Sequence, residues 1–300
     1  MQPDRLTAEQ FTESCTDHGE GPLWDARSPQ LGGNRLLLVD MIKGDLVQLD
    51  GSGSHRRTHV ADVAACLRHR ASGGYVLATE HGFQTLDDQL VPVGPALSAF
   101  GNSAIRMNDG GCDPQGRFYC GTMAYDETPG AGSLYRLDPG ALEEGGPVPT
   151  VLTGVTISNG LQWSADGSLV FYNDTPTRRI TVFDFDADAG SMINSRPFVT
   201  LPDDETGAPD GMAIDTEGGI WIALWGGSAV HRYDPAGKLD LVIELPVSNV
   251  SACTFGGDDL GTLYITTSRQ GLSDDDQPQA GSVFTARPGV TGAVPYPFAG

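Results

Sequence analysis

The stretch Asn159-Gly-Leu-Gln-Trp-Ser164 recurs along the chain in related forms, and the spacing of these copies decides the fold. Asn108-Asp-Gly-Gly-Cys-Asp113 lies 51 residues before it, and Asp210-Gly-Met-Ala-Ile-Asp215 lies 51 residues after it. Glu20-Gly-Pro-Leu-Trp-Asp25 precedes Asn108 by 88 residues, close to two such periods. Each copy begins with an oxygen-bearing side chain, and a glycine follows within two residues. Self-similarity at a fixed period is typical of repeat architectures, in which equivalent positions occupy equivalent places.

Each repeat unit reads as short alternating strands separated by turns. Gly116, Gly167 and Gly218 again lie 51 residues apart, at hairpin positions that favour a positive φ. Six units of about 50 residues fill the chain, and units of three or four antiparallel strands at this period are blades of a β-propeller. The sequence therefore predicts an all-β, six-bladed β-propeller, as one domain over residues 1–300. Residues 11–17 are expected to supply a strand that closes the ring beside the last blade.

The composition excludes several classes of partner. Asp and Glu number 39 against 18 Lys and Arg, and the resulting net charge of -21 disfavours nucleic acids and anionic membranes. Five cysteines without a C-x-x-C pair predict neither a zinc site nor a disulfide framework. The N-terminal residues lack a signal-peptide pattern, and no apolar run approaches the roughly 18 residues of a membrane span. We expect a cytoplasmic protein that is a monomer or a small homo-oligomer.

The first residue of each repeat indicates a metal site in the central channel. In a propeller the first strand of each blade lines this channel, so four oxygen donors are expected to point toward a common axis: Glu20, Asn108, Asn159 and Asp210. Carboxylate and amide oxygens without histidine or thiolate are typical ligands of hard cations such as Ca²⁺, Mg²⁺ or Mn²⁺. The competing interpretation is that Asn and Asp before glycine only form turns.

Arg106 stands two residues before Asn108, so on an extended strand both side chains face the same way. A guanidinium beside a cation site suits planar recognition of substrate oxygens, and a salt bridge to a nearby acid is the competing interpretation. The chain has no G-x-S-x-G elbow, P-loop, Rossmann fingerprint or H-E-x-x-H motif. The channel residues are therefore the main candidates for chemistry.

Six segments of the chain resemble the senescence-marker-protein/gluconolactonase family, also called regucalcin-like. They are Glu20-Gly-Pro-Leu-Trp24, Arg106-Met-Asn-Asp-Gly110, Gly121-Thr-Met123, Ile157-Ser-Asn-Gly-Leu161, Pro209-Asp-Gly-Met212 and Ala223-Leu-Trp-Gly-Gly227. The resemblance covers residues 20–273. It implies a six-bladed propeller with one divalent cation in the central channel, in a family of which many members hydrolyse sugar lactones.

The resemblance also implies roles for individual residues. The metal ligands of the family fall on Glu20, Asn159 and Asp210, and its substrate-contacting Arg and Asn fall on Arg106 and Asn108. This moves Asn108 from metal ligand to substrate contact. The acidic substrate contact after the Gly-Thr-Met motif falls on Asp126, where some members have Glu. The implied cofactor is one divalent cation, Ca²⁺ before Zn²⁺, Mn²⁺, Mg²⁺ or Fe²⁺.

The expected function is metal-dependent hydrolysis of a sugar (aldono-) lactone to the corresponding aldonic acid, as in a gluconolactonase. Its partner would be a small-molecule sugar lactone, and Asp210 would act as the general base. Two alternatives stay open at this point. The same site suits a promiscuous metal-dependent esterase or phosphotriesterase, and the chain also suits a non-enzymatic calcium-binding regulatory propeller.

Overall fold

A computed structural model describes residues 2–27, 34–273 and 275–300. Within these residues the fold is six β-sheets with one short helix, α1, at Ala141–Glu144. The first strands in chain order are β1 Asp4–Thr7, β2 Glu9–Gln10, β3 Gly19–Asp25, β4 Arg35–Asp40, β5 Asp45–Leu49, β6 His55–His59, β7 Ala64–His69, β8 Tyr75–Thr79, β9 Gly82–Leu86, β10 Pro92–Ser98, β11 Ile105–Cys112, β12 Phe118–Ala124 and β13 Gly132–Leu137.

The remaining strands are β14 Thr150–Val155, β15 Ser158–Trp163, β16 Leu169–Asp174, β17 Arg179–Asp186, β18 Ser191–Thr200, β19 Ala208–Ile214, β20 Ile220–Trp225, β21 Ala229–Tyr233, β22 Leu239–Glu244, β23 Val250–Gly256, β24 Thr262–Thr267 and β25 Phe284–Ala286. Short 3₁₀ turns at Met41–Lys43 and Thr175–Thr177 follow β4 and β16. The predicted all-β, six-bladed β-propeller is confirmed, with one sheet per blade. No helix in the described part of the chain has the length and apolar character that a membrane crossing requires.

Contacts within the chain define two compact units, and each holds three blades. The first unit comprises Met1–His59 and Leu201–Ala293, and the second comprises Val60–Thr200 and Val294–Gly300. The first unit contains the sheets β3-β4-β5-β6, β19-β20-β21-β22-β1 and β23-β24-β25-β2. The second contains β7-β8-β9-β10, β11-β12-β13-β14 and β15-β16-β17-β18. A single domain over residues 1–300 stays a prediction.

The strand that completes the last sheet lies earlier than predicted. It is β2, which pairs antiparallel with β25, whereas residues 11–17 are irregular backbone. The amides of Phe11 and Thr12 both donate to the carbonyl oxygen of Val283, at 2.9 and 3.2 Å. Two consecutive amides on one carbonyl cannot continue the ladder of an antiparallel pair, in which alternate residues bond to the neighbouring strand. The prediction of a strand at residues 11–17 is therefore wrong by a few residues.

The repeated motif is a strand with a β-bulge near its start. Register shifts occur in the first strand of every sheet, at Glu20/Leu23, Ala64/Cys66, Met107/Gly110, Asn159/Leu161, Pro209/Met212 and Val250/Ala252. A bulge re-aims the side chains beside it. Four of the six shifts include or border an oxygen donor that the sequence analysis singled out. The positions inferred from periodicity are thus equivalent in structure.

Glycine adopts a positive φ at two kinds of position in the repeats, the hairpin turn and the β-bulge. The three hairpin glycines adopt the positive φ predicted for them, at 80° for Gly116, 70° for Gly167 and 81° for Gly218. Gly160, which follows Asn159 inside the bulge, also has a positive φ of 44°. A side chain at Gly160 would be strained in this conformation, so the glycine allows the bulge that positions Asn159.

Asp215 and Asp113, which end two copies of the motif, stabilise the hairpin turns that follow them. Asp215 Oδ1 accepts hydrogen bonds from the backbone amides of Glu217 and Gly219, at 3.0 and 2.7 Å. Asp113 accepts from the amides two and four residues after it in the same way. Both carboxylates are buried. The start of the motif therefore carries the candidate site, and its end stabilises the turn.

Candidate functional site

Three residues predicted to line the site form one hydrogen-bonded row in the second unit. Arg106 and Asn108 lie on β11, and Asn159 lies on β15. Arg106 Nη1 donates to Asn108 Oδ1 at 2.7 Å, and Asn108 Nδ2 donates to Asn159 Oδ1 at 2.9 Å. All three side chains are buried. The structure therefore brings together two of the three predicted substrate contacts, Arg106 and Asn108, and one predicted metal ligand, Asn159.

The amide of Asn159 is held on both sides. Its Oδ1 accepts from Asn108, and its Nδ2 donates to Thr175 Oγ1 at 2.8 Å. Thr175 begins the 3₁₀ turn that follows β16. Hydrogen bonds of this kind orient a ligand and fix which of its atoms is available. The oxygen of Asn159 keeps acceptor capacity, because an amide oxygen has two lone pairs.

Asp109 connects the two strands that carry this row. Its Oδ2 accepts a hydrogen bond from the Gly160 amide at 3.0 Å, and Arg68 Nη2 lies 3.8 Å from its Oδ1. Burial raises the pKa of Asp109, and the charge of Arg68 and the backbone hydrogen bonds oppose this effect. Asp109 therefore joins the backbone next to Asn159 to the backbone next to Asn108, which helps to fix the positions of both side chains.

Two buried carboxylates occupy the matching positions of the first unit. Glu20 lies near the start of β3 and Asp210 lies on β19, with 6% and 4% of their surfaces exposed. Glu20 Oε2 accepts from the backbone amide of Gly21 at 3.3 Å. Burying an ionised carboxylate is costly unless a cation or a set of hydrogen-bond donors compensates its charge. These residues have the burial that a ligand role requires.

The predicted ligand set fits a hard divalent cation in its chemistry. Glu20, Asn159 and Asp210 are all buried, and they offer only carboxylate and amide oxygens. Ca²⁺, Mg²⁺ and Mn²⁺ prefer such oxygens. Among the described residues no group of three or more His, Cys, Asp or Glu side chains has the spacing of a metal site. This finding leaves the predicted set untouched, since it contains two carboxylates and one amide.

The structure gives Asp126 other neighbours than those predicted. Asp126 is exposed, and its Oδ1 accepts hydrogen bonds from Thr128 N at 3.1 Å and Thr128 Oγ1 at 2.7 Å. These hydrogen bonds lower the pKa of Asp126. Within the described part of the chain, Asp126 makes no hydrogen bond to Arg106 or Asn108. Its role as a substrate contact stays a prediction.

Two residues beside Arg106 escaped the sequence analysis. The ring centroid of Tyr125 lies 5.9 Å from Arg106 Cζ, and the Tyr125 hydroxyl donates to Glu80 Oε1 at 2.5 Å. Burial and the Glu80 carboxylate together raise the pKa of Tyr125 to about 12. Neither residue type recurs at the 51-residue period, so periodicity alone does not predict that they belong to the site. The one sequence feature that points to Tyr125 is its position directly before Asp126, after the Gly-Thr-Met motif.

Comparisons with known proteins show the family of the chain. A sequence profile described as SMP-30/Gluconolactonase/LRE-like region matches residues 18–269. A putative sugar lactone lactonase YvrE of Bacillus subtilis is 34% identical over 94% of this chain and 95% of its own length. Regucalcin of Gallus gallus is 37% identical over the same shares. The crystal structure of regucalcin from Agrobacterium tumefaciens, titled a calcium-binding protein, superposes with a TM-score of 0.86 at 25% identity, covering 99% of both chains.

Proposed function

The chain belongs to the SMP-30/gluconolactonase/LRE-like family, and from this premise we propose that it is a metal-dependent hydrolase of sugar lactones. The substrate would be an aldonolactone and the product the corresponding aldonic acid. The observation that carries the proposal is the buried row of Arg106, Asn108 and Asn159. Such a row offers a guanidinium and amides to the oxygens of a small polyhydroxylated ligand, whereas a scaffold has no need of them.

We assign the cation to Glu20, Asn159 and Asp210, in the central channel of the propeller. The burial of these oxygen donors and the family motifs that contain them support the assignment. When bound, a divalent cation supplies Lewis-acid polarisation of the lactone carbonyl and stabilises the negative charge that develops on its oxygen. The ligand chemistry favours Ca²⁺, with Mn²⁺, Mg²⁺, Zn²⁺ or Fe²⁺ as alternatives that add-back experiments distinguish.

The reaction adds water to the carbonyl carbon and breaks the bond from that carbon to the ring oxygen. In our assignment Asp210 accepts a proton from the attacking water, and the ring oxygen leaves as a hydroxyl after protonation. Arg106, Asn108 and Asp126 would bind the sugar hydroxyls and hold the carbonyl carbon near Asp210. The guanidinium of Arg106 is suited to this task, because its planar set of donors matches paired oxygens.

The first test is the metal dependence of lactone opening. Removing the cation with a chelator is expected to lower the rate of acid release from a panel of aldonolactones by about a hundredfold or more, because Lewis-acid catalysis is worth several kcal/mol. Acidification is followed with a pH indicator and corrected for spontaneous hydrolysis in buffer. Adding back single cations should restore the rate and identify the preferred ion. An unchanged rate in protein shown by elemental analysis to be metal-free would contradict the proposal.

The same panel separates the competing functions. A simple aryl ester or phosphotriester that is hydrolysed faster than every lactone would favour a promiscuous esterase or phosphotriesterase. Tight cation binding without turnover of any compound would favour a calcium-binding regulatory propeller. Preferential turnover of aldonolactones supports the lactonase.

A further inference from the structure

Arg106 lies beside a small cluster in the second unit that the proposed catalytic chemistry does not use. The cluster consists of Tyr125 and Glu80, from the ends of strands in neighbouring sheets. Tyr125 follows β12 and Glu80 follows β8. The Tyr125 ring lies within cation–π distance of the guanidinium, at 5.9 Å from ring centroid to Cζ. Its hydroxyl is fixed by Glu80 at 2.5 Å.

The backbone around this cluster is also fixed. The Tyr125 amide donates to the Ala104 carbonyl oxygen at 3.0 Å, and the Glu80 carbonyl oxygen accepts from the Met107 amide at 2.9 Å. Both bonds flank Arg106 on β11. The ring of Tyr125 therefore has a hydrogen-bonded backbone at one end and a hydrogen-bonded hydroxyl at the other. Such a ring has little freedom to turn away from the guanidinium.

The hydrogen bonds and the ring contact join these residues into one continuous series. Glu80 holds Tyr125, Tyr125 contacts Arg106, and Arg106 donates to Asn108. Asn108 then donates to Asn159. Tyr125 is 48% exposed although it contacts a buried arginine, so its ring is open to solvent while its hydroxyl is occupied.

We propose that Tyr125 and Glu80 are positioning residues that hold the Arg106 guanidinium in the orientation required to bind the sugar substrate. This inference rests on the proposed lactonase function for its substrate, but its structural core concerns Arg106 alone. The ring supplies attraction to the cationic face of Arg106, and Glu80 prevents the ring from rotating. Because Arg106 would contact substrate in both ground and transition states, loss of its orientation weakens binding more than turnover.

The kinetic test compares Tyr125→Leu with Tyr125→Phe. Tyr125→Leu removes both ring and hydroxyl and is expected to raise KM about tenfold, with kcat changed less than about twofold. Tyr125→Phe keeps the ring and loses only the bond to Glu80, so we expect a rise of about threefold. Ile193→Ala is the matched control, since Ile193 is equally exposed at 46% and lies in the same unit. An unchanged KM in Tyr125→Leu would overturn the inference.

A double-mutant cycle shows whether Tyr125 acts through Arg106. In an Arg106→Ala background, Tyr125→Leu should change KM by less than about twofold, because the group that it positions is already absent. The same tenfold rise in both backgrounds would show an independent role and overturn the inference. Thermal unfolding of each variant verifies that the fold is intact.

A second readout does not depend on catalysis. Side-chain NMR of the Arg106 Nε–Hε group should report a rigid guanidinium in the wild-type protein and a mobile one in Tyr125→Leu. If no lactone is hydrolysed by the wild-type protein, the proposed function fails while this measurement still judges the positioning role. Equal mobility in the two proteins would overturn the inference whatever the activity.

Discussion

Replacing Asp210 with alanine is expected to abolish lactone hydrolysis, with kcat/KM falling by at least about a thousandfold. The variant loses a proposed cation ligand and the proposed general base together. Asp210 is buried on β19, with 4% of its surface exposed, so solvent cannot readily replace its carboxylate. The measurement is acid release from the aldonolactone that the wild-type protein opens fastest. Wild-type activity in Asp210→Ala would remove Asp210 from the mechanism.

Two further variants separate the two proposed roles of Asp210, cation ligand and general base. Asp210→Asn keeps an oxygen ligand but cannot accept a proton, so excess cation should not restore its rate. Glu20→Gln loses only ligand charge, and we expect excess cation to restore its activity in part. Cation binding measured by calorimetry accompanies each assay. Full rescue of Asp210→Asn by cation would show that Asp210 is a ligand and that another group is the base.

Replacing Asp215 with alanine is expected to lower the free energy of unfolding by about 2–4 kcal/mol, because buried hydrogen-bond donors lose their acceptor while Arg232 keeps its ion pairs with Glu217 and Asp240. Asp215 Oδ2 accepts hydrogen bonds from Trp221 Nε1 at 2.8 Å and Arg232 Nε at 2.7 Å. Its Oδ1 accepts the two backbone amides of the hairpin. Asp215 is 2% exposed and Trp221 is fully buried, so these donors lose their acceptor without gaining water.

Urea unfolding of wild type and Asp215→Ala, followed by tryptophan fluorescence, gives this free energy. Asp50→Ala is the matched control, because Asp50 also accepts the amides two and four residues after it, at 2.8 and 3.2 Å. Asp50 is exposed, and water replaces its carboxylate, so a much smaller loss than in Asp215→Ala is expected there. Equal losses in both variants would mean that the buried partners of Asp215 add nothing to stability.

The fold was predictable because one signal repeats. A 51-residue period places three oxygen donors and three hairpin glycines in register, and each hairpin glycine has the positive φ that its turn needs. The closure of the last sheet occurs once and has no second copy to compare. Its strand ends at Gln10 because Phe11 and Thr12 share one acceptor, and nothing in the sequence marks that event.

One part of the candidate site follows from the same period. Asn108 and Asn159 occupy equivalent positions, and the structure joins them by a hydrogen bond. Tyr125 and Glu80 are absent from the sequence analysis, since they are 45 residues apart and meet only because two neighbouring sheets bring their ends together. Asp126 illustrates the opposite case. Its position in a motif predicts a substrate contact, and in the structure its Oδ1 accepts two hydrogen bonds from Thr128, a local turn that the motif does not indicate.

In the proposed mechanism a cation bound by Glu20, Asn159 and Asp210 serves lactone hydrolysis. The most direct measurement is anomalous diffraction from crystals grown with saturating Mn²⁺, which scatters anomalously and can replace Ca²⁺ at oxygen sites. We expect one strong peak bonded to oxygens of all three residues in protein that also opens aldonolactones. A peak bonded to other residues, or no peak at saturating Mn²⁺, would contradict it.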